Sequence, residues 1–107
     1  MKLLSLVLAL LALPRPALAL NGKLVESQIT APGVPGPVAI SVYTPPGYDP
    51  KRAEPYPLLI QLHGGGGSNR NMTRMAELLE DAITRGLIPP VVSVMPSAGR
   101  SFYMDFK

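Results

Sequence analysis

Apolar and polar positions along the chain predict two kinds of β-strand. Residues 23–30 and 37–44 alternate between apolar and polar, the second segment cleanly, as expected for strands with one buried face. The link between them is short and rich in proline and glycine, so the two segments are predicted to form an antiparallel hairpin. Residues 58–62 and 91–95 are almost entirely apolar, which is typical of short buried strands.

Between the two apolar segments, residues 71–87 predict an amphipathic helix. Its apolar positions recur every three or four residues and share one face: Met72, Met75, Ala76, Leu79, Ala82 and Ile83. Charged residues are expected on the other side: Arg74, Glu77, Glu80 and Asp81. Asn71 is placed to cap the helix, and Gly86 to end it. Strand, helix and strand in this order form a βαβ unit with parallel strands, so the predicted fold class is α/β.

Four glycines after a histidine follow the first apolar strand and define the glycine loop, residues 63–67. Glycine weakens a strand or helix by roughly 0.5–1 kcal/mol relative to alanine, so this run suits neither. It offers backbone N–H groups that no Cβ shields, which an oxygen requires as it gains negative charge. We therefore interpret Gly64, Gly65 and Gly66 as an oxyanion-hole loop that the His63 ring orients through a local hydrogen bond.

Other interpretations of the glycine loop are a flexible turn or a phosphate cradle. A Walker-type cradle ends in Gly-Lys-Ser/Thr, and the sequence Gly67-Ser68 lacks the lysine. A dinucleotide-binding loop has spaced glycines and a later acidic residue, which match poorly here. Proton transfer by His63 is the weaker alternative to its orienting role.

The N-terminus has the layout of a secretory signal peptide. Lys2 precedes a leucine-rich run, and prolines and Ala17-Leu18-Ala19 follow it. We expect residues 1–19 to be a signal peptide cleaved after Ala19, which would place the protein outside the cell or in the periplasm. A retained membrane anchor is the alternative, but the run is shorter than the roughly 20 apolar residues of a membrane span.

Composition narrows the classes of function. The 107 residues contain no cysteine and one histidine, so disulfides, thiolate sites and histidine-cluster metal sites are excluded. The net charge is +3, and the segment without Lys2 and Arg15 has 8 basic against 7 acidic residues, or about +1. No basic patch indicates a nucleic-acid partner. No spacing implies a metal ion or an organic cofactor.

Several segments, taken in order, resemble one family of esterases. They are residues 42–48 (Val-Tyr-Thr-Pro-Pro-Gly-Tyr), 56–59, 62–68 with the glycine loop, 86–96 and 100–105 (Arg-Ser-Phe-Tyr-Met-Asp). Together they resemble the family of α/β-hydrolase fold that includes esterase D (S-formylglutathione hydrolase), feruloyl esterases and mycolyltransferases. The resemblance covers residues 24–107, which is nearly all of the expected mature chain.

The resemblance implies acyl transfer through a serine nucleophile, a histidine base and an acidic partner. The family's nucleophile lies in a Gly-x-Ser-x-Gly elbow on the next strand, and no such pattern occurs in this sequence. We therefore expect residues 20–107 to form the N-terminal segment of an α/β-hydrolase domain, with a partial sheet that lacks the nucleophile strand. By itself this segment is expected to be inactive.

The resemblance also implies roles for individual residues. The N–H of Gly65 is the expected oxyanion donor, with Gly64 and Gly66 holding its geometry. Ser101, Phe102, Tyr103 and Asp105 match a loop beside the family's active site. Ser101, Tyr103 and Asp105 are the substrate-loop candidates, and loop packing is the alternative role.

The expected substrate is a small-molecule or carbohydrate-linked ester. One alternative is an acyltransferase of the mycolyltransferase type, in which a sugar hydroxyl replaces water. The Ser-Phe-Tyr-x-Asp sequence at residues 101–105 favours it. Another is a secreted carbohydrate-binding remnant without catalytic activity. No stable membrane anchor is expected after the signal peptide is cleaved.

Overall fold

A computed structural model describes residues 20–99, so the predicted signal peptide lies outside the described residues. Four strands form one mixed sheet, in the order β1-β2-β4-β3, and one helix of three turns connects β3 to β4. The elements are β1 (Lys23–Ile29), β2 (Val38–Thr44), β3 (Leu58–Ile60), a 3-10 turn (Asn69–Asn71), α1 (Met72–Thr84) and β4 (Val92–Pro96). The small α/β fold that the pattern predicts is therefore confirmed.

Strand pairing also follows the prediction. β1 and β2 form an antiparallel hairpin in which Lys23 lies opposite Thr44 and Ile29 opposite Val38. β2 pairs antiparallel with β4, and β3 pairs parallel with β4, with Leu58 opposite Val92. The hairpin and the parallel βαβ unit are thus joined through β4 into one sheet.

The prediction that β3 is buried is wrong for the described part of the chain. All three of its residues are exposed, with Leu58 at 62% and Ile60 at 61%. β3 lies at the edge of the sheet, and among residues 20–99 its only partner is β4. An apolar sequence identified a strand of a parallel pair but not its position in the sheet.

The core lies between the sheet and α1. Tyr43, Met72, Ala76 and Met95 are buried in one cluster. The remaining partners are partly buried: Leu20, Leu24, Met75, Leu79 and Ile83. The apolar helix face predicted from the spacing is the face that packs on the sheet. Within residues 20–99, no helix has the length and apolar character that a membrane span requires.

Helix α1 ends as its sequence predicts. Gly86 has a φ of 72° and donates its N–H to Ile83 O, and the N–H of Leu87 donates to Ala82 O. These two bonds form a Schellman motif, in which a glycine adopts the left-handed conformation that other residues avoid. Asn71 precedes the helix, but its side chain does not cap α1.

Glu80 does not lie on the solvent side of α1, where its charge had suggested it would be. It is 8% exposed and accepts hydrogen bonds from the N–H groups of Asn21 and Gly22 and from the Tyr43 hydroxyl. Glu80 follows Ala76 by one helical turn and therefore shares its face. The donors around its carboxylate make this burial possible. Burial raises the pKa of Tyr43 well above its ordinary value, and the nearby Glu80 carboxylate raises it further.

Candidate functional site

The glycine loop lies at the carboxyl end of β3, beside the loop that follows β4. β3 and β4 are parallel and adjacent, so their carboxyl ends lie side by side at the same end of the sheet. The N–H of Gln61 donates to Val94 O over 2.8 Å and extends the pairing by one residue toward the glycine loop. In open α/β sheets, ligands bind at the carboxyl ends of the strands.

The His63 ring joins the two loops. It is 6% exposed, and its Nε2 accepts a hydrogen bond from the N–H of Ala98 over 2.9 Å. Because an accepting nitrogen carries no hydrogen, the neutral ring must hold its proton on Nδ1. Nδ1 lies 2.8 Å from Gly64 O and therefore donates to that carbonyl.

The four glycines form a tight turn. The N–H of Gly67 donates to Gly64 O over 3.0 Å, and Gly66 has a φ of 77°. Gly65 is not among the glycines with positive φ, so the turn is of type II, with Gly65 and Gly66 as its central residues. Gly66 is therefore required for its conformation.

Gly67 is required for space. A Cβ at this position would lie 2.6 Å from Asn71 Oδ1 and 3.1 Å from Gly64 O. A Cβ on Gly64 or Gly65 would meet nothing within 4 Å among the described residues. The loop is thus packed at its end and open at its tip.

The segment after the turn is fixed by side-chain hydrogen bonds. Ser68 and Asn71 form a capping box: Ser68 Oγ accepts from the N–H of Arg70, and Asn71 Oδ1 accepts from the N–H of Ser68 over 2.8 Å. Asn69 is buried and donates to Ser41 Oγ of β2 over 3.0 Å. The glycine loop is therefore held at both ends, by the His63 ring at its start and by this turn after it.

The tip of the loop presents backbone donors to solvent. Gly64, Gly65 and Gly66 are exposed. The N–H groups of these three residues have no hydrogen-bond acceptor within the described range, residues 20–99. The N–H of Gly67, by contrast, is used by the turn. The arrangement can therefore donate hydrogen bonds to an anion or a polarised oxygen from the first part of the loop only.

Ser101, Tyr103 and Asp105 lie outside the described residues. Residues 20–99 contain no group of three or more histidine, cysteine, aspartate or glutamate side chains that is arranged to hold a metal ion.

Two contributors to the site were missed in the sequence. Ala98 acts through its main chain, so its side chain gave no signal. Asn69 gave a weak signal, since a polar residue beside a glycine run can fix a turn through its side-chain amide.

Comparisons with known proteins point to esterases. No protein-family model matches the chain. It is similar to endo-1,4-beta-xylanase Y of Acetivibrio thermocellus, with 29% identity over 96 residues, which is 80% of this chain and 8% of that protein. It therefore spans only a small part of that relative.

Solved structures give a more specific similarity. A feruloyl esterase module from Clostridium thermocellum, a serine-to-alanine mutant complexed with sinapinate, matches 70% of this chain and 26% of its own, with 30% identity and a TM-score of 0.62. A ferulic acid esterase with 19% identity and a TM-score of 0.66 matches 80% of this chain and 35% of its own, and shows likeness of fold alone. The structural neighbours are thus feruloyl esterases, which are esterases of the α/β-hydrolase kind, and the chain spans about a quarter to a third of their length.

Proposed function

We propose that the glycine loop is part of the oxyanion hole of a secreted serine esterase. The observation that carries this proposal is the set of exposed N–H groups at Gly64–Gly66, which no acceptor among residues 20–99 occupies. They lie at the carboxyl end of a parallel strand, on a loop whose two ends are fixed. Donors that are fixed before the reaction stabilise developing charge most effectively.

The N–H of Gly65 is the proposed donor. When a serine Oγ attacks an ester carbonyl, its proton passes to a histidine base and the new C–O bond turns the carbonyl oxygen into an oxyanion. Collapse of this intermediate re-forms the C=O bond, breaks the ester C–O bond and expels the alcohol, which takes the proton from the histidine. The Gly65 N–H would donate to that oxyanion, together with the N–H of the residue after the nucleophile. The 107 residues contain no Gly-x-Ser-x-Gly, so the proposal assigns to them this donor and not the nucleophile.

His63 is proposed as a positioning residue. Both of its ring nitrogens are engaged by main-chain groups, Nδ1 with Gly64 and Nε2 with Ala98. Proton transfer through either nitrogen would require one of these bonds to break. The ring instead fixes the carbonyl of Gly64, and with it the plane of the peptide that carries the Gly65 N–H.

The proposed substrates are esters of hydroxycinnamic acids, including those linked to carbohydrate. Support comes from the feruloyl esterase module, whose structure is a complex with sinapinate. The acceptor of the acyl group is proposed to be water. Transfer to a sugar hydroxyl, as in the acyltransferase alternative, would give a new sugar ester in place of free acid, so the reaction products distinguish the two.

A chimera tests the role of Gly65. Residues 20–99 would replace the matching segment of the feruloyl esterase module, with its nucleophilic serine intact, and hydrolysis of methyl ferulate would be measured. Proline at position i+1 of a type II turn is favoured and has no N–H, so Gly65→Pro removes the donor while keeping the turn.

We expect Gly65→Pro to lower kcat by about 100-fold to 1,000-fold, as the loss of one oxyanion donor does elsewhere. Gly65→Ala is the matched control, because it keeps the N–H and its Cβ meets no atom of residues 20–99 within 4 Å. A folded chimera in which the proline and alanine variants have the same kcat would show that this N–H does not act on the oxyanion.

A further inference from the structure

A depression lies at the opposite end of strands β3 and β4 from the glycine loop. It has a volume of about 300 Å³ and lies where β3 and β4 begin, so that Leu58 and Val92 contribute to its wall. The rest of the wall comes from the loop between β2 and β3, residues 45–57. Its position separates it from the proposed oxyanion site, which lies at the carboxyl ends of the same strands.

Two tyrosines dominate this depression. The rings of Tyr48 and Tyr56 are 5.0 Å apart between centroids and tilted by 47°. The guanidinium of Arg52 lies 3.8 Å from the centroid of Tyr56 and covers one of its faces. Tyr48 is 41% exposed, so the depression offers an aromatic surface to a ligand.

The loop that carries these rings is held by its own hydrogen bonds. The N–H of Asp49 donates to the Tyr56 hydroxyl over 3.1 Å, and the N–H of Tyr48 donates to Pro45 O. Arg52 Nε donates to Glu54 O over 2.6 Å. A ligand would therefore meet side chains that are already ordered, which reduces the entropy that binding costs.

Two carboxylates, Asp49 and Glu54, line the depression beside the aromatic rings. Asp49 Oδ1 accepts from the N–H of Lys51, while the carboxylate of Glu54 has no hydrogen-bond partner within residues 20–99. Two carboxylates and one guanidinium line the depression, so its charge does not favour a phosphate or another anion. A purely apolar ligand would cover these carboxylates without bonding to them, which is unfavourable.

We propose that this depression binds a segment of a neutral polysaccharide. A pyranose ring has an apolar face of C–H groups, which can stack on Tyr48, and hydroxyl groups that can donate to Glu54 and Asp49. The proposal rests on the geometry of this loop and does not depend on the proposed role of Gly65.

Titration of the isotope-labelled full chain with xylohexaose and with cellohexaose, followed by NMR, tests the proposal. We expect saturable shifts centred on residues 45–57. Tyr48→Ala should weaken binding at least about fivefold, while Tyr48→Phe, which keeps the ring, should bind within about twofold of the original chain. Glu54→Ala, an exposed change that keeps the main-chain bond to Arg52, should also weaken binding and provides a second variant if Tyr48→Ala fails to fold.

Two results would overturn the proposal: no saturable binding of either hexasaccharide, or unchanged affinity in a folded Tyr48→Ala or Glu54→Ala variant. Gly65→Pro separates this site from the glycine loop. We expect that variant to bind oligosaccharide normally, and a loss of binding would place the sugar at the glycine loop instead.

Discussion

The backbone N–H of Ala98 donates to Nε2 of His63 over 2.9 Å, although 35 residues separate them in sequence. This bond fixes the tautomer of the ring, so that Nδ1 donates to Gly64 O. One side chain therefore connects the loops that follow two parallel strands. The shape of the glycine loop depends on this contact as well as on the glycines.

Substitution of His63 by alanine should loosen the glycine loop. The change leaves the N–H of Ala98 without its acceptor and removes one donor from Gly64 O, which should cost about 1–3 kcal/mol of folding stability. Hydrogen exchange at Gly67 and Ala98 should become faster. Arg70→Ala is the control, because Arg70 is exposed and its ion pair with Glu26, at 4.0 Å, is on the surface. Unchanged exchange at Gly67 in His63→Ala would contradict the connecting role.

Alanine substitutions should separate the two ends of the glycine loop. Gly67→Ala places a Cβ against Asn71 Oδ1, which cannot move without losing its bond to the N–H of Ser68. We expect it to lower the free energy of unfolding by about 1–3 kcal/mol. Gly65→Ala should change it by less than about 0.5 kcal/mol, since its Cβ has no neighbour within 4 Å in the part of the chain that the structure describes. Denaturant unfolding of both variants compares the two positions, and equal losses would disprove the difference in packing.

Much of the fold could be predicted because its elements are marked locally. The apolar spacing of α1 and the glycine at position 86 each reflect forces within a few residues. The alternation of β2 identified a strand but not a single buried face, since Ser41 and Tyr43, on the face opposite Ile40, are buried as well. The position of β3 at the sheet edge has no such local mark, and it is expected only from the resemblance, which implies a partial sheet without the nucleophile strand. It depends on which strands are present to pair with it, and its apolar sequence suits a central strand equally well.

The candidate site could be predicted only in part, for a related reason. The residues of the glycine loop stand out in sequence, whereas the bond between Ala98 and His63 depends on how two distant loops meet. Glu80 shows the same limit in the core. Its charge suggested solvent, but its place one turn after Ala76 turned it toward Tyr43 and the main chain of residues 21–22.

Tyr43 should make the stability of the protein fall in alkali. Burial raises the pKa of Tyr43, so the folded state holds the phenol proton more tightly than the unfolded state. This contribution is complete below the ordinary tyrosine pKa of about 10 and is lost as pH rises above it. Unfolding midpoints in denaturant, measured from about pH 8 to about pH 11, should therefore drop above about pH 10.

Tyr43→Phe is the variant that tests this dependence. It removes the hydroxyl that donates to Glu80, so it should be less stable by about 0.5–1.5 kcal/mol near neutral pH. It should also show a shallower fall above about pH 10. If the stability of Tyr43→Phe falls as steeply in alkali as that of the original chain, groups other than Tyr43 cause the fall.

Glu80→Gln should destabilise the fold although it changes only one oxygen. The carboxylate accepts N–H groups with both oxygens, from Asn21 at 2.8 Å and from Gly22 at 2.6 Å. An amide would present an NH₂ group to one of these donors, with an expected cost of about 1–3 kcal/mol. Glu77→Gln on the same helix is the control and should change stability by less than about 0.5 kcal/mol. If the two variants unfold at the same temperature, the fold does not need both carboxylate oxygens of Glu80.

The exposed edge of β3 should make the chain self-associate. Within residues 20–99, the outer side of β3 has unpaired N–H and C=O groups, and its side chains are apolar, with Ile60 61% exposed. Edges of this kind pair with other chains. Ile60→Lys places a charge on this edge and should shift the apparent mass in light scattering toward the monomer at micromolar concentration. Leu78→Lys makes the same change on α1 at 56% exposure, away from any edge, and should leave the association unchanged. If both lysine variants reduce association equally, the added charge and not the β3 edge is the cause. If the original chain is already a monomer, this edge does not bind a second copy.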